Sequence, residues 1–206
     1  MAYLASRQGV PPAVASLAVV LEYAGLAITR LAVALSFLSA GFWRQVTGHD
    51  AGAWLWLFRI VSWGGVILLP WLLSLIQRQR RMRFLKKIEL QVRVPLLWLA
   101  EALMCLGWVI AGLGFAVLLG AVTSLTLSQF TAVIFATTTS YLASLLVFFV
   151  PGGIGVRESV LIFTLAGVLP EAIVALSAVF YRVVVIGAEL LGALAGLGLR
   201  ARWGRE

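Results

Sequence analysis

Long apolar stretches, each near the length needed to cross a bilayer, alternate with short polar segments along the chain. After a mixed lead-in at 1–10, Pro11 and Pro12 open an apolar run to about residue 42. It is long for one span, so it is expected to tilt strongly or to bend. Trp43, Arg44, His49, Asp50, Trp54 and Trp56 then frame a short polar loop with interfacial aromatics at both edges. A second span is expected over 53–76, a third over 94–122, a turn at 123–128, and a fourth span over 129–150. The next apolar segment, 159–169, makes a helix of roughly 16 Å against a hydrocarbon core of about 30 Å. Pro170 and Glu171 close it, and a last span follows over 172–199. The pattern predicts an all-α, polytopic helical membrane protein of about six membrane segments, one of them a short broken or re-entrant helix after Pro151-Gly152-Gly153. A single transmembrane domain is expected over 1–206.

Composition agrees: 62% of the residues are hydrophobic and the mean hydropathy is +1.04. The net charge of +8 does not point to nucleic acid, because seven of the sixteen Lys/Arg cluster between Arg78 and Arg93. Arg200, Arg202 and Arg205 add a second basic group. Basic loops stay on the cytoplasmic side, so the loop at 77–93 and both termini are expected there, in a multi-pass protein of the cell (inner or plasma) membrane. Cys105 is the one cysteine, which excludes an internal disulfide and a cysteine metal cluster. No cleavable signal peptide is evident, and His49, alone in a loop, reads as solvated. The chain has no metal-ligand set, nucleophile elbow, phosphate-binding loop or dinucleotide fingerprint. It is therefore not expected to be an enzyme or to use a cofactor or metal, and any transport would be driven by a gradient or run downhill.

The chemistry concentrates where the apolar pattern breaks. Pro151 cannot donate a backbone hydrogen bond, and Gly152, Gly153 and Gly155 free the chain from helical geometry at membrane depth. Arg157 and Glu158 then fall in the first turn of a new helix, where free amides and a guanidinium suit an anion. An ordinary turn at the water interface is the competing reading.

Four arginines (Arg30, Arg59, Arg157, Arg182) and four glutamates (Glu22, Glu101, Glu158, Glu189) lie within apolar stretches. Each costs about 2.5–3.5 kcal/mol to insert singly, so they are expected to converge inside the bundle, paired or around a wet cavity. Arg182 and Glu189, seven apart, share a helix face. The hydroxyls of Thr137, Thr138, Thr139, Ser140 and Tyr141 either line a cavity or bond back to their own helix. Gly64-Gly65, Gly107, Gly112 and Gly114 read as packing or loosening positions. Ala188, Gly192 and Gly196 form a small-residue stripe for close packing, within the monomer or in a homo-oligomer.

The run from Pro151 to Glu158, with Gly167-Val168, an alanine-rich stretch and Tyr181-Arg182, resembles the signature of the lysylphosphatidylglycerol synthase transmembrane (flippase-like) family. Gln8-Gly9-Val10 and Ala15-Ser16-Leu17, leading to Leu21-Glu22, resemble a second block of that family, with Tyr23 where the family has arginine. The family has spans before the Glu22 block, and members that aminoacylate a lipid carry a synthase domain; this chain is expected to lack both. The resemblance implies a flippase-like domain moving aminoacylated phosphatidylglycerol, a polyprenyl-phosphate lipid or another phosphate-bearing lipid between leaflets. Membrane lipids with anionic or phosphate-bearing headgroups are then the partners. Gly152, Gly153, Gly155, Arg157, Glu158, Glu101, Arg182 and Glu22 are the expected substrate-binding residues. Arg157 and the amides after Gly153 would hold phosphate, and Glu158 and Glu101 would meet a cationic headgroup or Arg182. The alternative is a non-transporting membrane partner or scaffold of a lipid-modifying or glycosyltransferase enzyme.

Overall fold

A computed structural model describes residues 12–78, 94–147 and 150–203. The expected lead-in at 1–10, most of the basic loop at 77–93 and the terminal Arg205 lie outside them. The described chain forms α1 (Pro12–Phe37), α2 (Ala40–Thr47), α3 (Gly52–Arg78), α4 (Val94–Gly120), α5 (Leu127–Leu146), a 3-10 turn (Pro151–Gly153), α6 (Val156–Leu165) and α7 (Glu171–Trp203). Five of these helices, α1, α3, α4, α5 and α7, are long and apolar enough to cross a membrane. With no strand among the described residues, the fold is that of an all-α, multi-pass membrane protein.

Local chemistry sets the ends of these elements. The first apolar run does not continue as one bent helix: it stops at Phe37, and Ser39 starts a new one by accepting the Phe42 amide at 3.1 Å. Half of the expected polar loop is therefore helical, α2, closed by Gly48 in the left-handed conformation. An exposed Arg44–Asp50 pair bridges its end. Arg59 on α3 donates to the Leu35, Ser36 and Leu38 carbonyls, so this arginine caps the end of α1, where with Ser36, Trp56, Ile60 and Trp63 it borders a second, mostly apolar cavity of about 360 Å³. At α5 the Thr126 hydroxyl and the Gln129 side chain cap one another's amides. That helix ends at Leu146, four residues short of the expected 150.

At the centre stands α5, packed against α1, α4 and α6, while α7 covers α6 and α4. Val133, Ile134 and Ala136 of α5 are enclosed, as are Phe115 and Leu119 of α4 and Leu165 of α6. The α4–α5 contact is close because Gly112 has no side chain: a Cβ there would lie 3.1 Å from the Ile134 Cα. Gly65 packs against Ile28 in the same manner, whereas nothing lies close to Gly64 or Gly107.

Polarity runs opposite to that of a water-soluble domain. Thr29, Arg30, Thr137, Thr138, Ser140 and Ser177 are buried, while Trp54, Ile60, Val117, Phe163 and Leu191 face outwards. Lipid is the solvent that accepts such an exterior. The hydroxyls inside bond back along their helix: Thr137 to the Val133 carbonyl at 2.8 Å, Thr138 to that of Ile134 at 2.9 Å and Ser140 to that of Thr137 at 2.7 Å.

Candidate functional site

The site begins where α5 gives way to the 3-10 turn. Gly152, Gly153 and Gly155 all have positive φ (65°, 63° and 82°), a conformation that side-chain-bearing residues rarely adopt. Gly153 is doubly constrained, since a Cβ on it would stand 2.6 Å from that of Ser144 on α5. The turn thus lies directly on α5 and delivers the first residues of α6 to the interior.

Two residues of that first turn have separate tasks. Glu158 accepts the Gly155 amide on one carboxylate oxygen at 2.8 Å, capping its own helix, and takes Arg182 of α7 on the other at 2.5 Å. Arg182 also donates to the Gly152 carbonyl at 3.2 Å, so one guanidinium ties turn, α6 and α7 together. Arg157 lies with its guanidinium 4.1 Å from the centre of the Tyr141 ring and donates from Nε to the Ser144 hydroxyl at 3.2 Å. No carboxylate among the described residues pairs with it.

Between α5, α6 and α7 these groups border a cavity of about 350 Å³. Tyr141, Arg157, Glu158, Arg182 and Glu189 form its polar wall, and Leu161, Ala178, Val185 and Ile186 its apolar one. Arg182 and Glu189 do share one face of α7, as their spacing requires. Tyr181 fixes that helix to α4 by donating to the Ala111 carbonyl at 2.7 Å. With Glu158 and Arg182 engaged with each other, Arg157 is the cation the cavity leaves available. An apolar wall beside a guanidinium suits an amphiphile with an anionic group.

Of the residues expected at the site, Gly152, Gly153, Gly155, Arg157, Glu158 and Arg182 come together. Glu101 and Glu22 do not line this cavity. Glu101 lies on the α1–α4 seam, where its Oε1 occupies the space beside Gly25 and its buried Oε2 has no hydrogen-bond partner. Arg182 is bonded to Glu158, not to Glu101. Glu22 is exposed on α1. Ser144 is a participant that the sequence pattern did not single out, and Tyr181 entered only through its motif with Arg182; the signal was the position of Ser144, one turn beyond Tyr141 on the polar face of α5. Among the described residues no group of three His, Cys, Asp or Glu is placed to hold a metal.

No family model matches the chain, and no curated protein or solved structure matches it. The class defined by fold and site is a multi-pass helical membrane protein with a charged cavity between its last three helices.

Proposed function

We propose that this protein is a lipid translocase that moves a phosphate-bearing lipid, of the aminoacylated phosphatidylglycerol or polyprenyl-phosphate kind, between leaflets. The observation that carries the reading is Arg157: a guanidinium without a carboxylate partner, on a cavity with one apolar and one polar wall. Phosphate meets Arg157, and acyl chains follow the wall of Leu161, Val185 and Ile186. Glu158 and Arg182 hold the wall in shape, and Glu189, exposed on α7, is the carboxylate placed for a cationic headgroup. The resemblance of residues 151–182 to the flippase-like family supports the same activity. In this reading the protein resides in the cell membrane with the basic segment 77–93 and both termini cytoplasmic, α6 completing an even number of crossings.

The test is reconstitution of the chain into liposomes with fluorescent phosphatidylglycerol, its lysyl form and a polyprenyl phosphate, scoring leaflet exchange. Arg157→Ala and Glu158→Ala are expected to abolish exchange while the protein remains folded in the membrane. Wild-type exchange by both variants would sink the assignment. Absence of exchange from folded wild-type protein would favour a membrane scaffold of a lipid-modifying or glycosyltransferase enzyme.

A further inference from the structure

Arg30 of α1 is left out of the cavity wall, yet the hydrogen bonds of the site reach it. It is buried, at 8% exposure. Its guanidinium lies 4.2 Å from the centre of the Trp108 ring and 6.0 Å from that of Tyr141, and donates to the Tyr141 carbonyl at 3.1 Å. Its Nε is buried without a hydrogen-bond partner. No described carboxylate pairs with it.

The same tyrosine carries Arg157 at 4.1 Å from its ring. Arg157 Nε donates to the Ser144 hydroxyl, and that hydroxyl donates to the Tyr141 carbonyl at 2.8 Å, where Arg30 also arrives. An unbroken path of hydrogen bonds therefore joins two arginines, one from α6 and one from α1, through a single turn of α5. Burying one guanidinium without a counter-ion is costly, and placing a second against the same side chain adds repulsion. Aromatic faces offset part of that cost. The nearby carboxylates do not offset the rest: Glu158 is held by Arg182 and the Gly155 amide, Glu189 is exposed, and Glu101 is turned to Gly25.

We propose that Arg30 and Arg157 form one anion site across Tyr141, matched to a phosphomonoester headgroup, which carries up to two negative charges, over a phosphodiester, which carries one. Arg157 touches the phosphate. Arg30 is a positioning residue that supplies the second positive charge from behind Tyr141. The proposal rests on the lipid-translocase reading and narrows its substrate class. A monoester takes on its second charge near pH 6, so the preference carries a pH signature set by the ligand. The charged and titratable groups around the site are Tyr23 and Arg30 (α1), Tyr141 (α5), Arg157 and Glu158 (α6), and Tyr181, Arg182 and Glu189 (α7). A diester, without that second ionisation, reports any titration among them.

The experiment is calorimetric titration of the purified full chain in detergent with short-chain phosphatidic acid, phosphatidylglycerol of the same chain length, and inorganic phosphate, below and above pH ~6. Above it, phosphatidic acid is expected to bind about tenfold more tightly than phosphatidylglycerol; below it, the two converge. R30M should weaken both and bring their ratio to about one, and R30K should restore the preference. No preference in the wild-type protein, a preference unchanged in R30M, or R30K behaving as R30M would each overturn the proposal. If R30M fails to fold, the wild-type pH profile decides alone. Inorganic phosphate binding as tightly as phosphatidic acid would overturn the lipid part. A binding preference without leaflet exchange upholds this proposal while removing the transport reading; exchange without preference does the reverse.

Discussion

Glu158 does two things at once, and the two oxygens of one carboxylate make this possible: one caps α6 at the Gly155 amide, the other receives Arg182. Both partners are largely enclosed, with side-chain exposures of 20% and 25%, so solvent screens the pair less than it would a surface pair. A double-mutant cycle of Glu158→Gln and Arg182→Gln, read by thermal unfolding in detergent, is expected to give a coupling energy of about 1 kcal/mol. A coupling indistinguishable from zero would show that the two act independently. At this scale the sequence was partly legible. Positive-φ glycines and a first-turn Arg-Glu stand together in eight residues, and local backbone chemistry is what a sequence displays best. Glu101 and Arg59 show the limit. A charge inside an apolar stretch reveals the cost of its burial but not which neighbour meets it, and Arg59 spends its donors on the carbonyls at the end of α1.

Among the elements, the α4–α5 contact depends on one missing side chain. Gly112→Val places methyl groups where the Ile134 Cα and side chain already lie, and backbone cannot yield as a side-chain tip does. The variant is expected to lose about 1–3 kcal/mol, seen as a lower unfolding temperature in detergent, whereas the same change at Gly107, beside which nothing lies close, should have little effect. Similar losses at both positions would contradict the packing. The spans were legible because a membrane imposes length and apolarity on every crossing helix. The division of the first run was not, since the Ser39 cap is a single hydroxyl in an otherwise apolar stretch. Nor does periodicity reveal that α5 is central: α4 is apolar on every side, and only contacts with α1, α4 and α6 distinguish the helix they surround.

Taken whole, the molecule encloses Arg30 and the hydroxyls of Thr137, Thr138 and Ser140 while many of its large apolar side chains face outwards. If the five long helices cross in alternation, the α2–α3 connection at 48–51 and the α4–α5 connection at 121–126 are expected on one face of the membrane, with Arg78 at the end of α3 and Val94 at the start of α4 on the other. With Cys105 replaced by Ala, single cysteines at Gly48 and Thr123 are expected to react with an impermeant thiol reagent from the same side, and one at Lys87 from the opposite side. Labelling of Gly48 and Thr123 from different sides would refute the five-helix path. One further property follows from Arg182 gripping both Glu158 and the Gly152 carbonyl. Three consecutive elements are pinned at a single guanidinium, so a displacement of α7 near Arg182 is expected to be passed on to the glycine turn. The last third of the chain is therefore expected to move as a lever about one clamped joint, with the glycine turn held at that joint by Arg182 and by its contact with Ser144.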